Sequence, residues 1–97
     1  MLLSVRIDTE SGNRAISGGT IEKVIGAFAE QAKPEAAYFY SDPGKRAASF
    51  IFDMADSSLI PPMVEPFFIE LNAECSLTPV MNLDDLKKGL ALFMGPG

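Results

Sequence analysis

Histidine and tryptophan are both absent from the chain, and cysteine occurs once, at Cys75. A single thiol cannot close an intrachain disulfide, and without imidazole a zinc site would need an all-carboxylate shell, so neither staple is available to hold the fold. Proton transfer is left to carboxylates, lysine or tyrosine, whose pKa values burial can move by several units. No apolar run approaches the roughly eighteen residues that span a bilayer. No basic segment and apolar stretch precede a cleavage site, because Met1 to Ile7 reads as a strand. Positive charge is also scarce. Eight Lys and Arg stand against thirteen Asp and Glu, a net charge of −5, and apart from Lys45-Arg46 and Lys87-Lys88 the cations are scattered. Such a balance repels phosphate backbones and anionic lipid surfaces. These absences predict a soluble, cytoplasmic protein with no metal, no cofactor, and neither nucleic acid nor membrane as a partner.

What is present is a globular composition, with 47% hydrophobic and 22% charged residues over 97 positions. That length suits one domain, residues 1–97. A domain of this size buries only about 60–65% of the surface its unfolded chain exposes. With no staple, association with a second copy is the support that remains.

Leu3, Val5 and Ile7 alternate with Ser4, Arg6 and Asp8, which predicts a first strand with one buried face. Thr9 to Gly19 is rich in Ser, Gly and Asn, with Ala15 and Ile16 its apolar members, and reads as a long loop. Thr20 can cap a helix whose stripe is Ile21, Val24, Ile25, Phe28 and Ala32, closed by Pro34. Glu35 to Ser41 and Arg46 to Met54 read as two strands. Between them Asp42-Pro43-Gly44-Lys45 places proline and glycine where a type II turn needs negative and then positive φ. Ile60, Met63, Val64, Phe67, Phe68 and Leu71 recur at helical spacing in a second helix over 56–71, with Pro66 predicting a kink or a short 3₁₀ turn. Asn72 is suited to end that helix, since it tolerates the left-handed conformation. Ala73 to Val80 reads as the last strand, and Asn82 caps a short C-terminal helix whose tail, Leu90, Leu92, Phe93 and Met94, must pack on something.

The order strand, helix, strand, strand, helix, strand predicts an α+β, ferredoxin-like βαββαβ fold, a four-stranded antiparallel sheet with two helices on one face plus the C-terminal helix. Both faces of the central hairpin carry large groups, Tyr38, Tyr40, Phe50 and Phe52 opposed by Phe39 and Ile51. An apolar patch of several hundred Å² marks a binding or oligomer surface, and two-fold pairing of sheet on sheet covers it.

In this pattern of elements the chain resembles the dimeric α+β barrel superfamily, which includes muconolactone isomerases, the YciI-like proteins and cofactor-free antibiotic-biosynthesis monooxygenases. The run Ile60-Pro61-Pro62-Met63-Val64-Glu65-Pro66-Phe67-Phe68, with Leu71-Asn72-Ala73 and Pro79-Val80-Met81-Asn82, looks like a small group of bacterial proteins within it. The resemblance implies a ferredoxin-like fold and homodimerisation. The histidine of the YciI-like and haem-degrading relatives and the tryptophan of the monooxygenases have no counterpart here. The RNA recognition module shares this topology. Arg46 to Asp53 matches its strand-three signature only in part, with Ala48 and Asp53 where stacking aromatics are required.

The leading expectation is a homodimeric small-molecule-binding protein whose pocket lies between sheet and helices or at the dimer seam. Tyr38, Tyr40, Phe50, Phe52, Phe67 and Phe68 would line it, which suits a small aromatic or lactone-like metabolite. Arg6 can hold a substrate carboxylate in two contacts, or else pair with Asp8 or a neighbouring strand. Glu65 is the first choice of acid or base for the alternative reading, a cofactor-independent isomerase or lyase resembling muconolactone isomerase. Cys75, with no basic neighbour in sequence, reads as a buried thiol rather than a nucleophile. A third reading is a structural or regulatory domain that docks through Leu90 to Met94.

Overall fold

The computed structural model describes residues 1–95. Four strands, β1 (Leu2–Ile7), β2 (Ala36–Ser41), β3 (Arg46–Ile51) and β4 (Ala73–Thr78), form one antiparallel sheet in the order β2-β3-β1-β4. Four α-helices accompany it: α1 (Thr9–Ser17), α2 (Thr20–Ala32), α3 (Ile60–Leu71) and α4 (Leu83–Met94), with a 3₁₀ turn over Ser57–Leu59 leading into α3.

Alternation along β1 sends Leu3, Val5 and Ile7 inward, where they are opposed by Phe50, Ala48 and Arg46 of β3 and by Leu77, Cys75 and Ala73 of β4. Val24 and Phe28 of α2 and Met63, Val64, Phe67 and Leu71 of α3 close over that face as one buried cluster. At its centre the Phe28 ring lies 4.8 Å from Phe50, 5.3 Å edge-on from Phe52 and 5.5 Å edge-on from Phe67. These separations favour aromatic pairs beyond the area they bury.

The segment after β1, expected as a loop, is helix α1. Asp8 takes an extended conformation and its carboxylate accepts from the Ser11 amide at 3.0 Å, an N-cap, while Arg14 reaches back one turn to Glu10 at 3.1 Å. Ala15 is buried on its inner side. Gly19, at φ +75°, breaks the chain between α1 and α2, so the cap of α2 is this glycine rather than the Thr20 hydroxyl. Asn72 ends α3 in the left-handed region at φ 53°, the conformation its short polar side chain tolerates. Pro66 sits inside α3 without ending it, and the 3₁₀ geometry falls upstream at Ser57–Leu59.

The chain reverses where the sequence predicts and Gly44 takes the expected positive φ, +74°, but the bond across the turn runs from the Asp42 amide to the Lys45 carbonyl at 2.9 Å, opposite in direction to the carbonyl-to-amide bond of a type II turn. Its register divides the aromatic residues differently from expectation. Ala37 opposes Phe50 and Tyr38 opposes Ser49, so Phe39 and Phe50 share the helix side while Tyr38 and Tyr40 lie on the other. Directly opposed residues share a face in an antiparallel pair, and a four-residue turn that pairs Ser41 with Arg46 fixes which residues are opposed.

Helix α4 is set off by a reciprocal capping box. Asn82 Oδ1 accepts from the Asp85 amide at 2.8 Å, and Asp85 Oδ2 accepts from the Asn82 amide at 3.2 Å. It runs through Gly89 to Met94 and none of its residues is buried. Leu90, Leu92, Phe93 and Met94 are all exposed, so among the described residues nothing covers the apolar tail. The molecule is accordingly long, 59 × 28 × 17 Å, with a radius of gyration of 16.0 Å, against about 12.5 Å for a compact chain of this size. No helix among the described residues is long and apolar enough to cross a membrane.

Candidate functional site

Strand β2 is an edge strand that overhangs the helices, and none of its residues is buried. The stripe of α2 is wider than the core can absorb: Val24 and Phe28 enter it, while Ile21 and Ile25 remain partly buried at its margin. Between that margin and the inward side of the β2–β3 hairpin lies a cleft of about 220 Å³ with almost wholly apolar walls. Ile16 of α1, Ile21 and Ile25 of α2, Phe39 of β2 and Phe67 of α3 line it, and Arg46 of β3 contributes the charged group. Phe39 and Ile16, 60% and 53% exposed, form its open rim.

Arg46 occupies an inward register position, opposite Ile7 and on the same side as Ala48 and Phe50. Its Nη2 donates to Asn13 Oδ1 of α1 at 3.0 Å. The guanidinium also lies so close to Gly12 that a β-carbon there would stand 2.6 Å from Nη1. The helix glycine is therefore what lets the arginine lie against α1.

The residues singled out from sequence do not converge on one pocket. Phe50, Phe52 and Phe67 are core residues, at most 2% exposed, and of these Phe67 also reaches the cleft. Tyr40 touches the cleft from its edge, and its hydroxyl lies 2.6 Å from Ser49 Oγ on the uncovered side of the sheet. Tyr38, 62% exposed, lies on that uncovered side. Arg6, also on the uncovered side, is held by the turn and by β4: Nη1 contacts Glu74 at 3.4 Å, Nη2 donates to the Asp42 carbonyl at 3.3 Å, and Nε lies 3.8 Å from the Asp42 carboxylate. A substrate carboxylate would have to displace both acids. Glu65 and Phe68 face outward from α3 and line no part of the cleft.

Ile16, Ile21, Ile25, Phe39 and Arg46 are among the cleft residues that the candidate set omits. Signals for four of them are in the sequence: the breadth of the α2 stripe, an aromatic on the second face of β2, and a basic residue in phase with Ala48 and Phe50. Ile16 is concealed by the loop-like composition around it.

A polar cluster joins the start of α1 to the end of α3. Asn72 Nδ2 donates to Asp8 Oδ1 at 3.2 Å and to Ser11 Oγ at 3.3 Å, and Arg14 Nη2 approaches the same hydroxyl at 3.4 Å. Hydrogen bonds from the Ser11 side chain and amide, then from Asn72, together with the charge of Arg14, hold the Asp8 carboxyl below its usual range. Both oxygens of the Asp8 carboxylate and the Asn72 amide nitrogen are engaged within the cluster, which is the arrangement of a helix junction. Burial pushes the Cys75 thiol up to about 11, leaving it protonated near neutral pH and a weak nucleophile.

The fold and site define a small α+β protein whose four-stranded antiparallel sheet is covered on one side by helices, with an apolar cleft at the margin of that cover. Comparison with family models, curated proteins and solved structures returned no match for the chain.

Proposed function

We propose that the protein is a homodimeric small-molecule-binding protein of the dimeric α+β barrel type, holding a small aromatic or lactone-like metabolite between its sheet and helices. The cleft of about 220 Å³ carries this reading. It is concave, apolar and bordered by a single charged side chain, the composition of small-ligand sites, in which polar groups are few and fix orientation. An apolar cavity of about 150 Å³ takes up benzene, so a ligand of one ring with short substituents matches this space.

The ferredoxin-like assignment is supported by the strand arrangement. β3 lies between β1 and β2, and β1 between β3 and β4, with every neighbouring pair antiparallel. This is the interleaving of a split βαβ unit. Dimerisation through the uncovered sheet face is supported by Tyr38 and Tyr40, 62% and 44% exposed, beside Leu2 and Ile51. Two-fold pairing brings such a face against its own copy. A cytoplasmic location accords with the single, half-buried thiol.

Native mass spectrometry of freshly purified protein tests the reading in one spectrum. The expected result is a dimer carrying a bound mass of one small organic molecule per subunit. A monomer would overturn the homodimer. A dimer whose isoleucine methyl NMR signals at Ile21 and Ile25 stay unmoved across a panel of small aromatic compounds would overturn the binding role.

A further inference from the structure

Arg46 is the one charged side chain that lines the cleft. It stands at an inward register position at the start of β3 but is only half-buried, and its hydrogen bond to Asn13 is open to solvent. Nη2 donates to Asn13, and among the described residues no carboxylate lies within 4 Å of the guanidinium. A guanidinium offers five N–H donors, so those that Asn13 does not take are open to water and to a ligand.

Two further observations bear on that ligand. The group lies close against Gly12 and is tied to α1 by its hydrogen bond to Asn13 at 3.0 Å. Orientation is thus supplied before a ligand arrives, which reduces the ordering cost of binding. Arg46 and Tyr40 also form the partition between the apolar cleft and an adjoining polar groove of about 330 Å³, whose other walls include Lys45, Thr9 and Ser41. Lys45, like Arg46, has no acidic partner within 4 Å among the described residues. An apolar chamber therefore opens onto two unpaired cations and two hydroxyls, in a protein whose overall charge is −5.

We infer that the ligand of this cleft is a small monocarboxylic acid, its ring or short chain among Ile21, Ile25, Phe39 and Phe67 and its carboxylate on the Arg46 guanidinium, facing Lys45. The planar fork of arginine matches a carboxylate in two parallel contacts, and a monoanion meets less of the surrounding negative field than a phosphate dianion would. The inference rests on the small-molecule reading above and narrows it to a chemical class.

Matched probes separate the two. Phenylacetate and its neutral counterpart 2-phenylethanol are titrated into the protein as purified, followed by methyl NMR at Ile21 and Ile25, and into the variants Arg46→Gln, Arg46→Lys and Ile21→Phe. The wild type is expected to bind phenylacetate at least about tenfold more tightly than the alcohol, the order of effect of a charge-assisted hydrogen bond. In Arg46→Gln that preference should vanish because phenylacetate loses more affinity than the alcohol, Arg46→Lys should keep part of it, and Ile21→Phe, which fills the cleft, should weaken both probes. Equal binding of the two probes in the wild type would overturn the acid while leaving a small-molecule site in place. Binding of neither would overturn both readings. Were Arg46→Gln to lose its fold, the wild-type preference and its loss in Arg46→Lys at high salt would still decide the matter.

Discussion

Phe28 meets three other aromatic rings within 5.5 Å and is itself 3% exposed, so its removal empties the middle of the core rather than its margin. Phe28→Ala is expected to cost about 3–5 kcal/mol by urea denaturation, a large part of what a domain of this size has to spare. A loss below about 1 kcal/mol would mean that the neighbouring rings collapse into the space. Asp8 makes a different kind of contribution, one that depends on its charge. Its folded pKa is depressed, chiefly by the Ser11 hydrogen bonds, so the stabilisation is present in full above the unfolded value near 3.8 and is lost as pH falls through the lower folded value. Asp8→Ala should therefore be less stable than the wild type at pH 7, with the gap closing below about pH 4; a gap that stays constant down to pH 2.5 would show that the carboxylate charge plays no part. For Cys75 the raised thiol pKa predicts alkylation by iodoacetamide at pH 8 that is slower in the native protein than in urea.

Among the elements, α4 is the one the rest of the protein does not use. Ending the chain after Met81 removes no buried side chain, so the melting temperature should change by less than about 2 °C, whereas a drop of 10 °C would place the helix in the cooperative unit. Strand identity, the place of the hairpin turn and the αL end of α3 were readable because each rests on a local rule: period-two alternation at Leu3, Val5 and Ile7, proline and glycine at the turn, asparagine after Leu71. Helix α1 was hidden because its stability comes from a cap at Asp8 and an i,i+4 pair, Glu10 with Arg14, rather than from an apolar stripe. Its glycine, a poor helix former, is retained where Arg46 needs the space. The candidate site was only half readable for a related reason. Which aromatic residues share a face depends on hairpin register, and counting outward from Ser41 opposite Arg46 separates Tyr38 and Tyr40 from Phe50 and Phe52. That the cleft exists depends on β2 projecting past the helices, a tertiary fact with no local signature.

At the scale of the whole molecule, the uncovered sheet face and α4 are surfaces that no other part of the described residues covers. A negative charge on the sheet face tests the dimer directly. Tyr38→Glu alters a side chain that is 62% exposed in the protomer and should leave the fold intact while converting dimers to monomers in sedimentation equilibrium. An undisturbed dimer would move the interface elsewhere. Phe52 is not a useful site for this purpose, since at 2% exposure a charge there would test folding instead. The outstretched α4 also governs how any such experiment should be read. A body of 59 × 28 × 17 Å drags more solvent and tumbles less evenly than a sphere of equal mass, so even a single protomer will leave a sizing column early, in the position of a heavier protein. Its hydrodynamic radius should contract when α4 is removed by more than the lost mass alone accounts for.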